Sequence, residues 1–174
     1  MKLETLGELL NFLNPNKRDV KRCLEGMKSL DTNTLKIKDF LFWNEDTYTR
    51  NLISKTESFE LMVCCWEPGQ SSMLHDLNGQ IGWIKVLKGD LEFNTLNVNS
   101  SSEEVETKKL EKDDLFVHQT KEQMYNIKNS SKERAISLHL YSYPISFYNV
   151  LSEVGTDVEN INISYYFING ALIK

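Results

Sequence analysis

A chain of 174 residues with 40% hydrophobic and 26% charged residues has the size and make-up of one soluble globular domain. A net charge of −5, with Lys and Arg scattered among Asp and Glu, offers no basic stripe to nucleic acid, and no apolar run reaches the ~20 residues that a membrane helix needs. Three cysteines, odd in number and two of them adjacent, argue against a disulfide framework and for a reducing cytoplasm.

The N-terminal segment opens on an amphipathic pattern without a signal-peptide core. Leu3, Leu6, Leu9, Leu10 and Leu13 recur at spacings of three and four and predict a helix. Asn14-Pro15-Asn16 breaks it, and Val20, Cys23, Leu24, Met27 and Leu30 repeat the stripe on a second helix. No long linker follows residue 32, so both helices are expected to pack on the main domain. From about residue 35 the pattern turns to short strands: Phe59–Trp66, Ile81–Leu87, Leu91–Asn94, Leu115–Val117, Met124–Ile127, Ala135–Tyr141 and Ile161–Phe167. Glu67-Pro68-Gly69 and Lys88-Gly89-Asp90 read as turns, and the Ser-rich Asn99–Glu104 stretch as a hairpin loop. Many short strands between frequent turns predict a sandwich or a small barrel.

Two features carry chemistry. His75-Asp76-Leu77 is half of a His-x-His pair. On extended backbone, residues i and i+2 face the same side, so two imidazoles at that spacing can grip one ion. Leu77 has no lone pair to offer. In Ser137-Leu138-His139-Leu140-Tyr141, alternation puts the hydroxyl, imidazole and phenol on one face. Buried there, they need one another as partners. Each feature also has a plainer reading. His75 can be a polar residue at a turn, Arg50 can pair with one of 25 acidic residues, and the adjacent Cys64 and Cys65 can simply pack. His118, in the polar run His118–Glu122, reads as a loop histidine.

At these residues the chain resembles the cysteine dioxygenase family, the cupin-fold thiol dioxygenases. Tyr48-Thr49-Arg50-Asn51-Leu52, Cys65-Trp66, Pro68-Gly69, Ser71 through Asp76, Lys85 through Glu92, Ser137 through Ser142 with Pro144, and Tyr165-Tyr166 through Gly170 are similar to family segments in order and spacing. The resemblance implies a mainly β, cupin-type double-stranded β-helix, with residues 1–174 forming one domain and 1–32 its N-terminal helices. It implies Fe(II) held by three histidines and addition of O2 to the sulfur of L-cysteine, giving the sulfinate. His75 matches the first metal ligand. Leu77 stands at the second, and the ungapped spacing puts Met124 at the third. Arg50 matches the residue that binds the substrate carboxylate, and Tyr48 a helper near the substrate. Ser137, His139 and Tyr141 match the outer triad. Gly82 stands where animal members carry a cysteine cross-linked to the tyrosine.

Two readings follow from this mixture. One is a silent or altered member that keeps a pocket for a small thiol or amino-acid-like ligand. The other is an active Fe(II) thiol dioxygenase with a non-standard ligand set. Either acts as a cytoplasmic monomer, without nucleic acid or membrane.

Overall fold

The two leucine-rich stripes fold as α1 (Leu6–Leu13) and α2 (Val20–Ser29) in the computed structural model, which describes residues 1–13, 18–98, 105–119, 122–151, 158–168 and 171–173. The Asn14-Pro15-Asn16 break, the Asn99–Glu104 loop and Gly170 lie outside the described residues. Asp19 caps α2 by accepting a hydrogen bond from the Arg22 amide at 3.0 Å, which satisfies one of the free donors of the first turn.

The strands are β1 (Thr49–Lys55), β2 (Glu60–Trp66), β3 (Gly82–Lys88), β4 (Leu91–Asn97), β5 (Val105–Leu110), β6 (Leu115–His118), β7 (Gln123–Lys128), β8 (Ala135–Tyr141), β9 (Phe147–Leu151), β10 (Val158–Asn162), β11 (Phe167–Ile168) and β12 (Ala171–Leu172). One layer is a seven-stranded sheet in the order β12-β11-β1-β2-β8-β3-β6. The other is assembled from β5-β4-β7 and the β9-β10 hairpin. His75 joins these two pieces, bridging to Tyr125 on one side and Val150 on the other. The expected Ile161–Phe167 strand does not form as one element: β10 ends at Asn162, and regular pairing resumes only at Phe167.

Every residue of β2 and of β8 is buried, because both faces of the large sheet are covered. Alternation deals their side chains to two cores. Leu61, Val63, Cys65, Leu138 and Leu140 pack with Leu9, Leu13, Cys23 and Met27 of the helices. Met62, Cys64, Trp66 and Tyr141 face the barrel interior with Ile84, Phe93, Tyr125 and Ile127. At ~1.5–3 kcal/mol for each large apolar side chain, the two cores supply the main drive for folding. The helix-side core fixes the large sheet, and the interior core shapes the cavity that the site occupies.

Candidate functional site

The β8 alternation produces the expected line of polar groups. Trp66 Nε1–H donates to Ser137 Oγ at 2.9 Å, Ser137 Oγ lies 2.8 Å from His139 Nε2, and His139 Nδ1 lies 3.2 Å from Tyr141 Oη. One serine lone pair is taken by the indole, and a neutral imidazole between Ser137 and Tyr141 donates to one of the two hydroxyls and accepts from the other. Burial lowers the His139 pKa to about 3, so the ring is a neutral relay. Burial also raises the Tyr141 pKa, keeping the phenol protonated.

His75 and Leu77 both line the interior cavity, as their i, i+2 spacing requires, while Asp76 turns away. The Asp76 carboxylate accepts hydrogen bonds from the Asn149 amide at 3.1 Å and the Asn149 side chain at 2.8 Å, tying the segment to β9. His75 Nδ1–H donates to the Met73 carbonyl at 2.7 Å, so Nε2 is the bare nitrogen. Its pKa is lowered to about 4, chiefly by burial. The ring lies between Tyr125 and Tyr148, at centroid distances of 4.6 and 4.7 Å.

The ungapped spacing leads to Met124, which the structure does not bring to the cavity. Tyr125 and Ile127 face the cavity, whereas Met124 pairs with Leu96 and is absent from the lining. The sequence held a signal for this: in Tyr125-Asn126-Ile127-Lys128 the apolar side chains alternate with polar ones, which assigns 125 and 127 to the inside. The Tyr125 hydroxyl is fully buried, with the Tyr141 phenol as its neighbour. His118 also differs from its expected place in a loop. It ends β6, pairs with Gly82, is 1% exposed, and its ring centroid lies 4.9 Å from that of Tyr125.

Arg50 and Tyr48 reach the site from β1 and the segment before it. Arg50 Nε and Nη2 both lie 3.4 Å from the Met62 sulfur, a weak acceptor. Glu60 Oε1 stands 3.7 Å from Arg50 Nη2; this carboxylate is 0% exposed, and Oε1 has no hydrogen-bond partner among the described residues. Tyr48 stacks on Trp66 with centroids 4.4 Å apart. Cys64 also lines the cavity, and burial pushes its thiol up to about 12, so it is no nucleophile at neutral pH. Glu60, Tyr125 and Tyr148 were not singled out by sequence, since none belongs to a motif, and Cys64 was read there as a packing residue.

Two spaces meet at this point. The interior cavity measures about 20 Å³ counted at water centres, and the groove outside it about 520 Å³. Tyr48, Arg50 and Tyr148 line both. Gly82, beside Tyr141 in the β3–β8 register, leaves room that Leu77 takes: a Cβ there would come within 2.5 Å of Leu77 Cδ1.

These residues do not fit a three-histidine iron centre. His75 is the one imidazole of the implied ligand set, Leu77 offers a hydrocarbon, and Tyr125 offers a phenol whose pKa is raised by burial. No cluster of three or more His, Cys, Asp or Glu side chains suited to a metal occurs among the described residues.

A family model described as cysteine dioxygenase type I matches residues 2–153. Cysteine dioxygenase type 1 of Danio rerio is 28% identical over 158 residues, covering 83% of this chain and 77% of that protein. The human protein of the same name is 28% identical over 163 residues, with the same coverage. Among solved structures, a Klebsiella pneumoniae protein with a double-stranded β-helix domain superposes with a TM-score of 0.54 at 17% identity, covering 62% of this chain and 87% of that one. An oxalate oxidase in complex with glycolate gives a TM-score of 0.54 at 14% identity, covering 65% of this chain and 60% of that one. These two likenesses show the double-stranded β-helix fold.

Proposed function

Since this chain belongs to the cysteine dioxygenase family, we propose that it is an altered member, one that binds a small carboxylate-bearing ligand without oxidising it. The observation that carries this reading is the contrast between the two halves of the site. Leu77 and Tyr125 stand beside His75 without a metal-binding set, while Arg50 keeps its guanidinium on a weak sulfur acceptor. A carboxylate is a far better partner for that planar fork than a thioether, and the exchange supplies the binding energy. Tyr141, held by His139, lines the same cavity with a protonated phenol. The three thiols are buried and unpaired, which supports placing the protein in a reducing cytoplasm.

Calorimetric titration of cysteine and related thiol acids, with and without Fe(II), tests the reading. Binding is expected to be independent of Fe(II), to yield no sulfinate and to fall at least tenfold in Arg50→Ala. Sulfinate formed above a metal-free control, and lost in His75→Ala, would instead establish the second reading, an active dioxygenase with a non-standard ligand set.

A further inference from the structure

The interior cavity and the outer groove differ in what they can hold. A water needs ~10–15 Å³ counted at its centre, so about 20 Å³ inside the barrel admits a water or two and no amino acid. The groove, at about 520 Å³, falls within the ~300–1,000 Å³ typical of small-molecule sites.

The wall between the two spaces is well fixed. Tyr48 stacks on Trp66 with an interplanar angle of 7°, and Tyr148, which lines both spaces, packs on His75. Leu77, 2% exposed, closes the interior further. Arg50 is the charged group common to both spaces, with 11% of its side chain exposed. Inside the protein its charge is countered by Glu60 at 3.7 Å. Around the groove, Tyr148, Tyr165 and Tyr166 stand with Met73, Ile161 and Ile173. Met73 and Ile173 are 52% and 46% exposed there, apolar surface in want of cover. The Tyr165 ring also lies 5.6 Å from the Arg50 guanidinium carbon, so aromatic surface and cation meet at one place.

We propose that the ligand site of this protein is the outer groove, and that it takes a monocarboxylate with an aromatic or branched apolar tail, the carboxylate on Arg50 and the tail on the tyrosine wall. This rests on the carboxylate-binding role of Arg50 and adds where the ligand lies and what its other end must be. The tail supplies the apolar area that free cysteine lacks, and the carboxylate displaces the Met62 sulfur from the guanidinium.

The probe is 3-phenylpropionate, compared with propionate, cysteine and the neutral 3-phenylpropionamide by calorimetry. Ser71→Trp and Ser164→Trp put bulk into the groove from exposed positions, which spares the fold. Phenylpropionate is expected to bind at least tenfold tighter than propionate or cysteine, and to lose at least tenfold in both tryptophan variants. Equal affinity for phenylpropionate and propionate, or binding untouched by both variants, overturns the groove assignment. Cysteine binding that survives both variants but not Arg50→Ala also overturns it and leaves the carboxylate role standing. If the amide binds as well as the acid, with the same sensitivity to groove filling, the groove stands as a site but the carboxylate on Arg50, and with it the proposal, falls. Binding of none of the acids overturns both.

Discussion

Gly82 and Leu77 share one volume. A Cβ at residue 82 would also lie 3.3 Å from the ring carbons of Tyr141, so a side chain there would press on the phenol as well as on the leucine. Gly82→Ala is expected to cost about 1–3 kcal/mol of stability by overpacking. In a Leu77→Ala background, itself costly by ~2–5 kcal/mol, the same change should cost much less, and denaturant unfolding of the four proteins gives the coupling. Glu60 sets a second trade. Its carboxylate counters the Arg50 charge at 3.7 Å, so Glu60→Gln should lower the melting temperature by leaving a buried cation uncompensated. The same substitution should raise carboxylate affinity about tenfold, ~1.4 kcal/mol, because the ligand becomes the sole counter-ion. Thermal melts with and without phenylpropionate read both effects, and an unchanged ligand-induced shift would refute the second.

At the level of elements, the register of β7 decides which chemistry the site can hold. Thr95 pairs with Tyr125 and Phe93 with Ile127, and this pairing aims residues 125 and 127 inward. Leu77→His with Tyr125→His is therefore expected to raise iron affinity sharply, while Leu77→His with Met124→His is not; metal analysis after Fe(II) loading separates them. The helices and most strands were legible because their periods are unbroken over many residues. The Ser137, His139 and Tyr141 line was legible for the same reason, as β8 alternates without interruption and is uniformly buried. The ungapped count to Met124 missed the inward face because it assumes a fixed length for the Asn129–Arg134 connection, although the alternation in Tyr125-Asn126-Ile127-Lys128 marks that face and the pairing with β4 agrees with it. Arg50 was recognisable from its segment, but its partner Glu60 was not. The two meet only because β1 and β2 fold back on one another, ten residues apart in sequence.

Across the whole molecule, burial of imidazoles links the site to stability. His75 and His139 have pKa values of about 4 and about 3 in the folded chain, against 6.5 when exposed. The unfolded chain binds more protons between those values, so stability rises with pH there. The contribution of both rings is complete above about pH 6.5. It shrinks as pH falls through 6 and 5, and is lost for His75 near 4 and for His139 near 3. Urea midpoints should drop steadily from pH 7 to pH 4.5, and His139→Gln should flatten the drop. An equal slope in that variant would show that the ring does not titrate on unfolding.

Cys64 and Cys65 are neighbours in sequence, yet one thiol is sealed in the barrel interior and the other beneath the helices. A single alkylation time course, resolved by peptide mass, thus becomes a pair of clocks one residue apart. If α1 and α2 lift off first, Cys65 is labelled ahead of Cys64; if the barrel mouth breathes first, the order reverses. Equal labelling rates would mean that the two halves of the molecule open only together.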